Sequence, residues 1–478
     1  MAHAEEILRG LQEIAGEEFV TTGRYATFAY TRDTSVFGGT QAETVVRPGS
    51  TEEVSKIMAL AHQHRIPVVV RGGGSSIYGQ PKGIPGSNLL IDMTRMNRIL
   101  DLNPRNLTVT TQAGIMMGKL QRACNQAGFF IFTPSAPVHT VSLGGWMSGA
   151  AGGAGISAEI MSVTVVLPDG TIVKTGGGPG TNIHQPLYYN RSLGGPDFTG
   201  LFIGDGGSFG IKTEATIRLL GLPQITRASI VELGTLEDAL ELVLRHVKRV
   251  SPHPFDPLLV FGPAAMEIFM PGAGSGDTFT ALAIMQGHTI PEMEAKRDAF
   301  DALAASLKAE RNPALNAMSE AMSRSGEGEG GMEMFGLGFF NGLGRAAWLP
   351  FNMPRAGFQD VYPRLIEWRE KRVEEATRKG FQCVARFEFF TPADQCYLSG
   401  EVDAFFRDSD DPELENFIRT MIYDFQQYTH ELGFIDVYNQ GVMSNLNAAY
   451  WSPGFRALYK TIKSTLDPHG ILNPGLWL

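Results

Sequence analysis

The chain has 478 residues, with 40 Lys+Arg against 50 Asp+Glu, a formal net charge of −10. That length exceeds one ordinary domain of roughly 100–200 residues and supplies a large core. The acidic balance argues against a basic nucleic-acid surface, and 43% apolar with 19% charged residues excludes a disordered or fibrous chain.

The N-terminal segment MAHAEEILRGLQEIAGEEFV is acidic and amphipathic, unlike a signal peptide. Its spacing predicts a helix from about Ala4 to Ala15 that buries Ile7, Leu8, Leu11 and Ile14. Thr44–Pro48 reads as a strand. Ser50-Thr51-Glu52-Glu53 then forms a capping box before a helix carrying Val54, Ile57, Met58 and Ala61 on one face. Ile66–Val70 and Leu89–Met93 are further strands, and Leu107–Thr110 alternates as a fourth. A helix from Met116 to Gln126 ends before Gly128, placed as a C′ glycine. Ser162–Leu167 and Thr171–Lys174 flank Pro168-Asp169-Gly170, a hairpin signal.

From about Pro223 the texture changes. Strands at Thr226–Leu233, Leu258–Phe261, Phe279–Met285 and Phe381–Phe389 alternate with helices at Pro291–Ala309, Gln359–Arg378 and Pro412–Glu431, and Thr235–Asp238 opens another. Strand–helix–strand occurs twice, which predicts a duplicated α+β unit on an antiparallel sheet. Ser325–Gly331 is a low-complexity hinge or loop, and a helix from Pro453 to Leu466 leads into the tail. Three scattered cysteines (Cys124, Cys383, Cys396) suit neither a disulfide framework nor an iron–sulfur cluster, and fit a reducing, cytoplasmic compartment. No run of about 18 apolar residues predicts a membrane span, and no metal-ligand spacing predicts a metal site.

Glycine is over-represented, at 56 residues, without a G-X-Y period, so its excess needs a local reason. Three clusters hold much of it: Arg71-Gly72-Gly73-Gly74-Ser75-Ser76 after a strand, Ser142–Gly155, and Gly204–Ile211. Each alone reads as a turn. Together they favour a long, flat, phosphate-bearing ligand, because glycine lets backbone approach closely and aims amides at an anion. Gly153-Ala154-Gly155-Ile156-Ser157-Ala158 fits G-x-G-x-x-A but does not follow a strand and open a helix, so a Rossmann site is rejected. No P-loop and no G-x-S-x-G elbow is present.

These clusters, in this order and followed by Asp467-Pro468-x-Gly470-Ile471-x-Asn473-Pro474-Gly475, resemble the vanillyl-alcohol oxidase / p-cresol methylhydroxylase flavoproteins, and also the FAD subunit of glycolate oxidase. The resemblance implies an α+β fold: a two-subdomain FAD-binding domain over 1–222 (core about 40–220), a cap domain on an antiparallel sheet over 223–440, and a tail over 441–478 returning to the first domain. It implies that Arg71, Gly72, Gly73, Gly74, Ser75 and Ser76 clasp the FAD pyrophosphate. Ser142, Gly144, Gly145 and Ser148 would run along the flavin and ribityl chain. Gly210 and Ile211 would hold the adenine side, and Asn473 would touch the flavin edge. Relatives that tether FAD use a histidine matching Ser75, or a cap residue matching Gly344–Pro350. Neither stretch offers His or Tyr, so non-covalent FAD is expected. A small-molecule aromatic or hydroxy-acid substrate, a homo-oligomer and a separate electron-transfer subunit are the partners implied.

The substrate evidence is mixed. Tyr78, just after the first loop, and Tyr438 resemble the tyrosines of the phenol-oxidising branch, although Asn439 replaces that branch's arginine and Ser142 its flavin-side aspartate. Both tyrosines read otherwise as ordinary half-buried residues. Arg386 and Glu388 share one face of a strand by period two. They read as a salt bridge on a solvated face, or, if that face meets the flavin, as an anchor for an anionic substrate and a base. The function expected is an FAD-dependent oxidoreductase acting on a para-substituted phenol or related aromatic alcohol. The alternatives are a D-2-hydroxy-acid dehydrogenase and, from another class, a flavin-fold protein that binds without catalysis.

Overall fold

A computed structural model describes residues 2–38, 42–79, 89–131, 138–149, 159–177, 191–192, 195–249, 258–269, 278–325, 343–392, 397–409, 411–434 and 441–477. The fold is α+β, and the chain divides into two compact units, Met1–Leu220 with Tyr438–Leu478, and Gly221–Val437. The Gly153–Ala158 match, the low-complexity run after Ser325, Cys396, Tyr438 and Asn439 lie outside the described residues.

The first unit has two sheets. In the smaller, strands Thr44–Val46, Leu89–Asp92 and Val68–Arg71 lie parallel in that order, and Val20–Thr21 adds antiparallel to Thr44–Val46. The helix Thr51–His64 covers it. Ser50 caps that helix by accepting from Glu53 N–H at 3.1 Å, while Glu53 Oε2 accepts from Gly49 N–H at 2.8 Å. Its apolar stripe of Val54, Ile57, Met58 and Ala61 packs with Val46, Val68, Leu89 and Ile91, all nearly or fully buried. Each such aliphatic side chain contributes about 1.5–3 kcal/mol on burial. Parallel strands end on the same side, so the loop leaving Arg71 starts beside Asp92.

The larger sheet is antiparallel, in the order Ile99–Asn103, Thr108–Gln112, Ile211–Arg218, Ile160–Val166, Ile172–Lys174. Its last two strands form the Asp-Gly hairpin: Gly170 takes φ +90°, and Asp169 Oδ1 accepts from Thr171 N–H at 2.8 Å. The helix Pro453–Leu466, capped by Ser452, packs Tyr459 into this sheet's core, and Trp451 stacks on Trp477 at 4.8 Å between ring centres. The chain then returns to the small sheet, where Val68 N–H donates to Ile471 O at 2.7 Å and Asn473 N–H to Val68 O at 2.8 Å.

The second unit is built on one antiparallel sheet. Its order is Ile225–Leu233, Phe279–Gly287, Leu258–Phe261, Cys383–Pro392, Tyr397–Phe406, and both Arg345–Ala347 and Pro350–Pro354 pair with Tyr397–Phe406. Helices Leu236–Arg249, Ile290–Ser306, Phe358–Arg378 and Pro412–Glu431 supply the crossovers and packing. The strand Tyr397–Phe406 and the helix Pro313–Ser325 are absent from the sequence pattern.

Candidate cofactor and active site

Three glycine loops and the tail meet in the first unit. At Gly72 a Cβ would lie 2.0 Å from Ser142 Oγ, and at Gly73 it would lie 1.7 Å from Thr140 O, so the first loop presses backbone against the second. Gly204 N–H donates to Met147 O and Gly206 N–H to Ser148 O, each at 2.8 Å, which ties the second loop to the third. The Asn473 carboxamide spans the first and third: Oδ1 accepts from Val70 N–H at 3.0 Å, and Nδ2 donates to Gly207 O at 2.8 Å.

Where the amides go separates the loops. In the second, Leu143 and Gly144 N–H donate to Ile115 O and Ala113 O, and Gly145 N–H to Ser142 Oγ. In the third, Gly207 and Phe209 N–H donate to the Asp205 carboxylate and Ser208 N–H to Asp205 O. Gly210 is pressed into the sheet, where a Cβ would lie 2.3 Å from Val165 Cγ1, and Ile211 is buried beside it. In the first loop, the N–H groups of Gly72, Gly73, Gly74 and Ser75 donate to no protein acceptor among the described residues, although the loop is partly buried. Partly buried amides without acceptors suit an anion. Among the described residues, loops two and three direct the amides named above to acceptors in their own loops, in each other and in the adjacent backbone, whereas the Gly72–Ser75 amides stay open to a ligand.

Arg71 sits beneath that loop. Its Nη1 donates to Arg32 O at 2.9 Å and Tyr30 O at 3.3 Å, and its Nη2 would lie 2.2 Å from a Cβ at Gly74. Burial lowers its pKa, and Asp33 and Asp92 oppose that. Tyr30 donates to Asp92 Oδ2 at 2.8 Å, and its hydroxyl is pushed up to about 12 by burial and by the Asp92 charge. Ser76 Oγ donates to Gly79 O at 2.8 Å and so closes the turn. A cavity of 270 Å³ lined in part by Met116, Lys119 and Arg122 adjoins the loop, since Met116 Sδ lies 3.4 Å from the Gly73 Cβ position.

Tyr78 is fully buried at the end of this loop. Its carbonyl accepts from Val442 N–H at 3.3 Å, and Gly441, at φ +46°, lies so close that a Cβ would come within 2.4 Å of both Tyr78 O and Gly79 O. The helix Gly441–Ala449 thus starts on the Tyr78–Gly79 backbone.

In the second unit, Arg386 and Glu388 do lie on one strand face, but with different neighbours. Arg386 Nε donates to Glu370 Oε2 at 2.9 Å and its side chain is 39% exposed. Glu388 is buried, its Oε1 accepting from Ala264 N–H at 2.8 Å and its Oε2 paired with the buried Arg369. The solvated salt bridge expected for Glu388 is therefore corrected to a buried one, with its partner on the helix Phe358–Arg378.

Residues 42–176 match the FAD binding domain family, and residues 441–476 match the C-terminal domain of FAD linked oxidases. The chain has an FAD-binding fold of the p-cresol methylhydroxylase type. It is 26% identical to the glycolate oxidase subunit GlcD of Bacillus subtilis over 245 residues, 50% of this chain and 50% of that protein. It is 31% identical to the mitochondrial D-lactate dehydrogenase (cytochrome) 1 of Saccharomyces cerevisiae over 204 residues, 41% of this chain and 32% of that protein. The chain spans about half the length of the first of these relatives and less of the second. In fold it is similar to p-cresol methylhydroxylase with substrate bound, at a TM-score of 0.79 and 16% identity, covering 100% of this chain and 97% of that one. A 4-ethylphenol oxidase from Gulosibacter chungangensis, in an isoeugenol complex, gives 0.78 and 20%, with the same coverage.

The residues fit FAD at the point its charge requires. The Gly72–Ser75 amides and the neighbouring Arg71 suit a pyrophosphate, and side chains at Gly72 and Gly73 would clash with loop two. The sequence reading missed Asp205 and Lys212, a fully buried ion pair under the third loop. The signal available was a lysine at the second position of the strand Ile211–Arg218, seven residues after an aspartate between glycines. It also missed Gly441, whose neighbours Tyr78 and Gly79 are remote in sequence, and Arg369, paired with Glu388 on the next strand.

Proposed function

We propose that the chain is an FAD-dependent oxidoreductase acting on a para-substituted phenol or related aromatic alcohol, with FAD held without a covalent bond. The observation that carries the substrate reading is the seat of Gly441 on the Tyr78–Gly79 backbone. Tyr438 precedes Gly441 by three residues, at most about 11 Å of extended chain. On this reading Tyr78 and Tyr438, 360 residues apart in sequence, would meet one ligand. Likeness to two phenol-oxidising folds over the whole chain supports the same reading.

Bound FAD would supply the hydride acceptor. The first loop would hold its pyrophosphate through the Gly72–Ser75 amides, with Arg71 adding positive charge from beneath. Ser142, Gly144, Gly145 and Ser148 would flank the flavin through backbone packing, and Gly210 and Ile211 the adenine side. Tyr78 and Tyr438 would orient the substrate and donate to its phenolate oxygen, beside Asn439. Ionising a phenol of pKa about 10 costs roughly 4 kcal/mol at pH 7. Two hydrogen bonds to the anion, at about 1.5–3 kcal/mol each, offset that cost without an arginine.

Tyr78→Phe and Tyr438→Phe should each slow flavin reduction by 4-alkylphenols on the order of 10²–10³-fold with FAD still bound. The pair should be non-additive, because both serve one oxygen. Wild-type reduction rates in both variants would remove the reading.

A second reading is favoured by the glycolate and D-lactate relatives in sequence. There the substrate is a D-2-hydroxy acid, and Arg386 would exchange its Glu370 partner for the substrate carboxylate, with Glu388 held in its ion pair. Arg386→Met should then raise KM for a hydroxy acid and leave phenols unaffected.

A further inference from the structure

Asn473 is 3% exposed and holds φ +43°, a left-handed conformation that asparagine adopts more readily than most residues. Its carboxamide is committed at both ends, to Val70 two residues before Gly72 and to Gly207 in the third loop. The Gly207 end is itself anchored. Gly207 N–H donates to Asp205 Oδ1 at 2.9 Å, and the same carboxylate is paired with the Lys212 ammonium, both side chains being at most 2% exposed. Trp477 Nε1–H donates to Asp205 O at 3.1 Å. A Cβ at Gly207 would lie 2.8 Å from Asn473 Nδ2, so the close approach requires glycine.

These bonds form one continuous strut from a buried ion pair, through the third loop and the tail, to the strand end that launches the first loop. Gly72, Gly73 and Gly74 lose more backbone freedom on ordering than any other residue type would, so fixing the strand end matters for how well their amides present to an anion. We infer that Asn473, braced by the Asp205–Lys212 pair, is a positioning residue that holds the first glycine loop in its pyrophosphate-binding conformation. This role differs from a contact to the flavin edge, and it rests on the reading that the first loop holds the pyrophosphate.

The test uses full-length apo-protein titrated with FAD, with ADP and with riboflavin. Asn473→Ala should weaken FAD and ADP by about 10–100-fold each and leave riboflavin within about threefold, since riboflavin carries no phosphate. Trp477→Phe removes the indole N–H bond to Asp205 O together with part of the stack on Trp451, and should show the same pattern at about 3–10-fold; it carries the test if Asn473→Ala does not fold, with riboflavin reporting any general loosening. Gly73→Asp, which places a carboxylate in the cradle, should abolish both FAD and ADP binding. FAD and ADP affinities unchanged in Asn473→Ala and Trp477→Phe, with Gly73→Asp unable to bind, would overturn the positioning role and leave the cradle intact. An equal loss for riboflavin would overturn it too, as general loosening. Full FAD affinity in Gly73→Asp would overturn both.

Discussion

At the scale of single residues, Gly73 is the most exacting position in the first loop. Any Cβ there meets the Thr140 carbonyl at 1.7 Å, and backbone cannot move aside as a flexible side chain can. Gly73→Ala should therefore shift loops one and two apart, costing about 1–3 kcal/mol of stability, and should cut FAD content several-fold. Flavin stoichiometry after purification, beside thermal melting, checks both effects. The same scale shows why residue roles were only partly legible in sequence. The run Arg71–Ser76 announces a backbone that must approach something closely, and the Gly72–Ser75 amides, without a protein acceptor among the described residues, agree. Nothing in Gly204–Gly210 reveals that Asp205 consumes the amides around it, because that depends on the side chain folding back over its own loop.

At the scale of elements, local signals located what local physics decides. The helices Pro412–Glu431 and Pro453–Leu466 begin where Asp411 and Ser452 cap a proline at the first turn, and the Asp169-Gly170 turn sets its hairpin. The strand Tyr397–Phe406 was passed over although Leu398, Val402, Ala404 and Phe406 alternate with Ser399, Glu401 and Asp403, because Gly400 at its centre weakens the pattern. Tertiary structure keeps both acids on one face. Asp403 is fully buried with Oδ1 accepting from Leu349 N–H at 2.7 Å, and the two carboxyls interact. Burial pushes Glu401 up to about 7, and burial with the Glu401 charge raises Asp403 well above the carboxylate range. A raised folded pKa stabilises the protonated form. The second unit should thus be most stable below the ordinary glutamate pKa and lose stability as pH rises through about 7. Its melting temperature should fall by roughly 3–6 °C between pH 5 and pH 8 at constant ionic strength, and Glu401→Gln should flatten that slope. A melting temperature that rises across this window would contradict the assignment.

At the scale of the whole molecule, the α+β FAD-binding fold was legible because three glycine clusters and the tail motif occur in a fixed order; the family matches on 42–176 and 441–476 take in the first two clusters and the tail, and Gly204–Ile211 lies outside both. The substrate was less legible. The determinants we propose lie where distant segments meet, as at Tyr78 and Gly441, and in a middle block whose sequence resemblance is weak. Among the described residues no helix is long and apolar enough to cross a membrane. With Ser75 in the first loop and Ala346 and Ala347 on the strand Arg345–Ala347, non-covalent attachment predicts that acid precipitation releases all yellow colour to the supernatant. Colour retained in the pellet would contradict it. We propose that this fold oxidises phenols through a tyrosine pair over FAD. Anaerobic titration of the flavin absorbance with 4-alkylphenols, hydroxybenzyl alcohols and D-2-hydroxy acids tests it most directly. The phenolic substrates should bleach the flavin and the hydroxy acids should not; bleaching by hydroxy acids alone would contradict the phenol reading.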